Sequence, residues 1–438
     1  MKKSNFTKLY QRTMCLGTAI ILAISLCGCS SDSMESFIED IAKYVMVEFL
    51  DMDPFLVDYQ FAPASYVLFF EDKDSAPQYV LLSEIEGYES QFADCNSTWY
   101  RDQLSQEDRI IYNAHLYAME HCLKGFQLIV ADSDKDFFHI RDMLALDSPF
   151  LEQNVNSEGE YVSALGSTEY GDPIFFYMDQ YAPDRWALKQ QALESCRQAI
   201  ADIPDQCDTQ EAKMLYLYHY VCDKITYTEY DNLADQNYLY DAAILGETVC
   251  DGYSNMLSLL FNLIGVDACE AMGVDEQLPE DATEEDIDDY DGHTWVIAKL
   301  GENYYHFDPT FEDTIEQIQE ERTIYFGISD AMASCQYIDY DTMRPACPDT
   351  SRDLTFVHLT LPNITEQNHI SELAKLTDQR TRAGNYITYV MLEVTIDEDQ
   401  LDAMLNKYIQ KVYAIESVNV MCCTVNDQLL MKFTTEPW

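Results

Sequence analysis

The chain has 438 residues, 47% of them hydrophobic, with 26 Lys and Arg against 78 Asp and Glu and a formal net charge of -52. That length allows about three domains of roughly 150 residues each, and the apolar and aromatic content is ample for a packed core, which excludes global disorder. So large a negative charge excludes a general nucleic-acid binder, because phosphate is repelled, and docking on anionic lipid through basic patches.

Lys2, Lys3, Lys8 and Arg12 form a basic leader ahead of an apolar run over residues 14–26. The run is too short to span a bilayer comfortably and predicts a secretory signal core. It ends in Leu26-Cys27-Gly28-Cys29, followed by Ser30-Ser31-Asp32-Ser33, which resembles the bacterial lipobox. The resemblance implies cleavage of residues 1–28, acylation of Cys29, and an extracytoplasmic chain held by its lipid to the outer face of a bacterial cell membrane. Twelve of the 14 cysteines lie beyond Cys15 and Cys27. An exported chain can form disulfides, and Cys196 with Cys207 or Cys335 with Cys347 have feasible loop lengths. No compact metal spacing such as C-x-x-C occurs.

After a polar tether at 29–36, residues 37–185 read as an N-terminal α+β domain. Tyr66–Phe70 and residues 79–82 are β-rich runs around a charged turn, a hairpin signal. Ser105, with Asp108 three positions on, opens a helical pattern that runs to about residue 128. Residues 174–178 are a further strand candidate. Helices follow over 186–201 and 209–224, opening a domain at 186–348. Residues 353–438 alternate strand (356–361), helix (366–377), strand (386–394), helix (398–413) and two strands around Asn426-Asp427, which predicts a small two-layer α+β module.

The sharpest local signal is Val249-Cys250-Asp251-Gly252-Tyr253-Ser254, directly before the apolar run from Met256 to Ile264. Cys250 is placed at the start of a buried helix, where unpaired N–H groups and the helix dipole favour thiolate and could hold a developing oxyanion. Gly292-His293-Thr294-Trp295 begins one β-type run, and Tyr304-Tyr305-His306-Phe307-Asp308-Pro309-Thr310 forms another, with the turn Leu300-Gly301-Glu302-Asn303 between them. A register pairing residues whose numbers sum to 601 or 603 puts His293 and Asp308 on one face; a sum of 602 separates them. An imidazole that takes the thiol proton, oriented by a carboxylate, completes a nucleophilic unit.

Cys250 in C-D-G-Y-S, His293 in G-H-T-W and Asp308 in Y-H-F-D-P-T-F resemble the Cys–His–Asp motifs of the transglutaminase-like superfamily, in its bacterial cell-surface branch. Residues 321–330 resemble the segment that follows the aspartate in that family, and the resemblance covers about residues 190–345. It implies an α+β fold with a papain-like core, in which the cysteine-bearing helix packs on an antiparallel sheet. It also implies a Cys250–His293–Asp308 triad that forms an acyl-thioester from an amide or ester and passes it to water or an amine. The expected substrate is a peptide, a protein or a cell-wall peptide, and no cofactor or metal is implied. Phe311 stands where Trp is common. The side chain that assists the oxyanion is open among Gln236, Asn237 and Tyr240. The competing class is a non-catalytic cell-surface binding module on the same fold.

Ten acidic residues between Met272 and His293 flank the histidine. They read as a solvated loop, as a lid selecting cationic substrates, or as a calcium site, although the spacing from Asp286 is not that of an EF-hand, with Asp291 where Gly belongs. Their field would raise the pKa of His293.

Overall fold

The computed structural model describes residues 66–71, 76–123, 125–129, 137–150, 161–163, 173–177, 183–229, 237–274, 292–314, 323, 325–334, 338–339, 343–353, 357–364, 366–394, 396, 398–425 and 428–438. The leader with Cys29, Gln236, Cys335 and the acidic stretch between Met272 and His293 (beyond Val274) lie outside these residues. The chain divides into two compact units: one takes the described residues of Met1–Leu82, Gly125–Ser133 and Tyr161–Phe176, the other those of Ser83–Lys124, Asp134–Glu160 and Tyr177–Trp438. Among the described residues no helix is long and apolar enough to cross a membrane.

The first unit is a five-stranded sheet. Strands β1 (Tyr66–Phe70), β2 (Gln78–Leu81), β3 (Gly125–Ile129), β4 (Tyr161–Ser163) and β5 (Pro173–Tyr177) stand in the order β2-β1-β3-β5-β4. The hairpin expected between the first two runs forms, with Tyr66 opposite Leu81 and Phe69 opposite Gln78.

The second unit contains helix α1 (Gln106–Glu120), which begins where the sequence predicts: Ser105 accepts the Asp108 N–H at 3.2 Å. It ends earlier than the apolar pattern suggests. Cys122 adopts φ +57, a conformation that no helix can continue, and residues 125–129 are a strand. Helices α2 (Phe137–Asp147), α3 (Pro183–Ala201) and α4 (Gln210–Lys224) follow, the last capped by Thr209 through the Ala212 N–H. The short parallel pair β6 (Thr226–Tyr227) and β7 (Glu247–Thr248) leads to helix α5 (Cys250–Leu263), which is buried along almost its whole length.

Helix α5 packs on an antiparallel sheet of β8 (Ala268–Val274), β9 (Gly292–Leu300), β10 (Asn303–Phe307), β11 (Phe326–Ile328) and β12 (Ile338–Asp339), ordered β11-β10-β9-β8-β12. Helix α6 (Pro309–Thr314) turns off the end of β10, and the short helix α7 (Asp330–Ala333) follows β11. A cysteine-bearing helix on an antiparallel sheet is the expected papain-like α+β arrangement. The physical reason is visible in β9, whose residues 293–298 are all buried because α5 covers one face and further structure the other.

The C-terminal sheet is β13 (Val357–Leu361), β14 (Ile387–Leu392), β15 (Ile415–Val425) and β16 (Gln428–Pro437), ordered β13-β14-β16-β15, with helices α8 (Gln367–Arg382) and α9 (Glu398–Ile409). Ile370, Leu373, Met404 and Tyr408 of the helices pack with Val390, Leu392, Met431 and Phe433. The other face is covered as well. Ile387, Tyr389, Met391 and Leu430 join one core with Trp295, Ile297, Tyr325 and Ile328 of the α5-bearing half. The expected two-layer arrangement therefore describes one face only. The strand β14 is buried at all six positions, and such a strand needs cover on both sides.

Candidate active site

Cys250 is the first residue of α5. Val249 before it is extended and offers no side-chain cap; within the first turn of α5 the Gly252 N–H donates to the Val249 carbonyl at 3.1 Å and the Asp251 carboxylate accepts from its own N–H. Two features hold this turn in place. Ser254 donates to the carbonyl oxygen of Thr294 at 2.8 Å and to that of Cys250 at 3.0 Å, joining helix and strand beside His293. Gly252 lies so close to Thr248 that an added Cβ would sit 2.3 Å from Thr248 Oγ1, which is why only glycine fits in C-D-G-Y-S.

The hairpin β9–β10 pairs Asn303 with Leu300, Tyr304 with Lys299 and so on to Phe307 with Val296, a register in which every pair sums to 603. Continued one step, it sets Asp308 across from Trp295, two residues from His293 and on the same face. The side chains meet: His293 Nε2 lies 2.7 Å from Asp308 Oδ2. With Nε2 engaged there, Nδ1 is the ring nitrogen left for the hydrogen bond that joins His293 to Cys250. Asp308 is held at three further points. Its Oδ1 accepts the Phe311 N–H at 2.9 Å, its own N–H donates to the Tyr325 carbonyl at 3.1 Å, and its carbonyl accepts from the Tyr218 hydroxyl at 2.8 Å. Phe311, in the position where Trp is common, stacks on the His293 ring at 4.4 Å between centroids.

Cys250, His293 and Asp308 are 8%, 6% and 1% exposed, so their charges interact with little solvent screening. Burial opposes the His293 imidazolium, but the charge and hydrogen bond of Asp308 outweigh it and raise its pKa to about 10. The causes of this rise are Asp308 and Cys250, whereas the acidic stretch whose field is expected to act on His293 lies outside the described residues. Burial pushes the Cys250 thiol up, and the hydrogen bond and charge of His293 and the Thr294 N–H pull it down. The expectation that the helix N-terminus lowers this thiol is corrected. The group is nearly enclosed, and the buried carboxylate of Asp251, 3.7 Å from the sulfur, adds its own opposition. A thiolate here depends on the charged imidazole beside it.

Of the oxyanion candidates, Asn237 is buried and its N–H donates to Asp241 at 2.9 Å; it precedes the helical turn Tyr238–Tyr240, which packs against α5 and carries the partly exposed Tyr240. Gln236 lies outside the described residues. Cys196 and Cys207 stand as unbridged thiols.

The sequence reading assigned no role to Trp295 or His306, although both stand inside its motifs. Trp295 lies parallel to His293 at 5.9 Å, and its indole N–H donates to His306 Nδ1 at 2.9 Å. That bond leaves Nε2 of His306 to donate to Asp330, 3.0 Å away, and Asp330 also accepts from Arg344 at 2.7 Å and from the Cys347 N–H at 2.7 Å. His306, Asp330 and Cys347 are close enough to hold a metal ion. Their arrangement is instead that of a support: the imidazole is engaged at both nitrogens, and the Arg344 cation occupies the carboxylate.

A helix-borne cysteine joined to a sheet-borne histidine and to an aspartate just past the end of the neighbouring strand belongs to the papain-like class of folds. Residues 197–309, a segment that contains Cys250, His293 and Asp308, match the family model described as "Transglutaminase-like superfamily", so the chain carries a transglutaminase-like domain. No curated protein matches the sequence. Among solved structures, a provisionally named cysteine protease from Cytophaga hutchinsonii is 11% identical over 35% of this chain and 62% of its own, with a TM-score of 0.21. A provisionally named protease from Parabacteroides distasonis is 9% identical over 64% of this chain and 62% of its own, also at 0.21. The chain thus spans less than two thirds of each of these proteins.

Proposed function

We propose that this chain is a cysteine acyl-transfer enzyme of transglutaminase-like type, acting on peptide, protein or cell-wall peptide amides outside the cell. The observation that carries the proposal is the continuous hydrogen-bonded series from Cys250 through His293 to Asp308. His293 takes the thiol proton, and Asp308 balances the imidazolium that results. The sulfur attacks the amide carbonyl carbon, and the positive dipole end of α5, which begins at Cys250, favours the negative oxygen that forms beside it. The C–N bond breaks as His293 returns the proton to the departing amine, leaving an acyl-thioester on Cys250. Water or a second amine then attacks the thioester, giving up its proton through His293, and the thiol is restored. Hydrolysis and transamidation differ only in this last acceptor.

A second reading, a binding module that performs no chemistry, draws support from the burial of Cys250 at 8% exposure. Iodoacetamide separates the two. Selective labelling of Cys250 near neutral pH, faster than a free thiol and slowed in His293→Ala, supports the enzyme; labelling no faster than a free thiol in both proteins supports the module. Mass-spectrometric screening of wall peptides and protein amides, with Cys250→Ala alongside, then identifies the bond that is cut or exchanged.

The location rests on the leader and on Cys29. Without acylation, the processed chain beyond residue 28, of net charge -56 once the four leader cations are subtracted from -52, is left with no lipid anchor and is repelled by anionic headgroups. Cys29→Ser should release the protein from membranes or stall it as a longer precursor. Mature-sized Cys29→Ser protein still sedimenting with membranes would refute lipid anchoring.

A further inference from the structure

Acidic residues outnumber basic ones three to one in this chain. One cavity on the C-terminal sheet's helical layer reverses that ratio. It measures about 640 Å³ and is lined by three cations, Lys375, Arg382 and Lys411, and one acid, Asp378. Its remaining polar wall includes Ser371, Gln379 and Tyr413. Ser371, Lys375, Asp378 and Arg382 recur at spacings of three and four along α8 and so share one face of it, turned away from the Ile370 and Leu373 core side. Lys411 and Tyr413 come from the connection between α9 and β15.

The two walls are fixed to each other by the acid. Asp378 Oδ1 accepts the N–H groups of Tyr413 at 2.7 Å and Ala414 at 2.6 Å, and its Oδ2 accepts from Arg382 at 3.1 Å. Burial opposes the charge of Asp378, but these hydrogen bonds prevail and lower its pKa. The carboxylate is therefore spent on structure. Among the described residues, Lys375 and Lys411 meet no carboxylate at ion-pair distance, so the cavity keeps a local charge near +2 inside a chain whose net charge is -52.

We infer that this cavity is a binding site for a phosphate monoester carried on a small neutral body such as a sugar. Two uncompensated positive charges match the roughly dianionic phosphate monoester at neutral pH better than a single carboxylate. Arg382 offers a fork for two phosphate oxygens, and the lysines supply point charges. The cavity is open to solvent along one side, and its width exceeds what a bare ion needs, leaving room for a small organic body beside the charged groups. Tyr413, 76% exposed at the rim, presents an aromatic face for the neutral part. The overall negative charge sets the size limit: a polyanion or an anionic membrane is repelled by the rest of the chain, whereas a small dianion is not excluded from one local well. Nothing in this inference uses Cys250, so it stands or falls apart from the proposed acyl transfer.

Isothermal titration of the full chain with glucose 6-phosphate, inorganic phosphate and glucose tests it at low salt. The expected result is saturable one-to-one binding of glucose 6-phosphate, at least about tenfold tighter than inorganic phosphate, with no heat from glucose. Lys411→Gln and Arg382→Gln should each weaken it about tenfold, the loss of one charge-assisted contact, and Tyr413→Ala should narrow the preference over inorganic phosphate. Lys375→Gln, at an exposed residue that forms no ion pair among the described residues, provides a variant outside the Asp378 bonds, and Cys250→Ala should bind as wild type does. Equal affinity for inorganic phosphate and glucose 6-phosphate would mean an adventitious ion only and overturn the proposal. So would an absence of saturable binding, or affinities unmoved by Lys375→Gln and Lys411→Gln. Capture on phosphatidylglycerol vesicles that these substitutions abolish, with no binding of glucose 6-phosphate, would assign the basic cavity to lipid and overturn it as well.

Discussion

At the scale of single residues, Asp308 decides the charge of the candidate site. It holds His293 as an imidazolium up to about pH 10, against a burial that favours the neutral ring. Asp308→Asn keeps the shape and removes the opposing charge, so burial then wins and the His293 pKa falls below its ordinary value. Labelling of Cys250 by iodoacetamide at pH 7 should drop by tenfold or more, with its pH profile displaced upward; an unchanged profile would show that the three residues do not act as a unit. The sign for stability follows from the same shift. A folded pKa above the unfolded one contributes stability that is complete below about pH 6.5 and is lost as pH rises through about 10. Gly252 makes a second, purely steric prediction. In Gly252→Ala the new Cβ would meet Thr248 at 2.3 and 2.4 Å in a buried position, an overpacking that costs about 1–3 kcal/mol. Calorimetry should show a lower melting temperature, and Thr248→Ala in the same chain should restore part of it by removing the two closest atoms.

At the scale of elements, helix α5 and strand β9 must hold sulfur and imidazole at a fixed separation, and Ser254 is the stitch between them. Ser254→Ala removes both bonds of that hydroxyl and leaves the buried Thr294 carbonyl without this donor, at a cost of about 1–2 kcal/mol. The labelling rate of Cys250 should fall further than that stability loss accounts for, because geometry at the thiol relaxes while the fold survives. Equal loss of folded protein and of labelling would remove Ser254 from a positioning role. Much at this scale was legible in the sequence. The Ser105 cap, the apolar pattern over 209–224, the turn at Gly301 and the apolar run after Cys250 are local signals, and α1, α4, the β9–β10 hairpin and α5 stand where those signals put them. The end of α1 was not legible, since an apolar pattern continuing to residue 128 is equally satisfied by a buried helix turn and by strand β3.

At the scale of the whole molecule, Lys432 of β16 shows how far the C-terminal segment reaches. It is 5% exposed, donates to the Tyr325 hydroxyl at 2.8 Å, and burial lowers its pKa to about 8, with Asp308 partly opposing that fall. The sign is opposite to that of His293: a depressed cation penalises the fold below about pH 8, and the penalty, on the order of 3 kcal/mol, is relieved between about pH 8 and 10.5. Against Lys432→Met, the wild type should therefore gain relative melting temperature as pH rises from 7 to 10; a constant difference would show that the amine is not depressed. The sequence by itself determined what short-range chemistry can encode: the anionic balance, the helix that begins at Cys250, and two motif-bearing strands joined by a tight turn. It also limited the hairpin to registers that unite His293 with Asp308 or part them, and the family resemblance favoured union. Only the tertiary structure chose the register that sums to 603, enclosed Cys250 so that its thiolate depends on His293, and set Trp295 on His306. It alone brought three of the chain's few cations to one cavity and turned both faces of the C-terminal sheet inward. The reason is physical: burial, charge coupling and the second face of a strand depend on what packs against a residue from distant parts of the chain, and no local window of sequence contains that information.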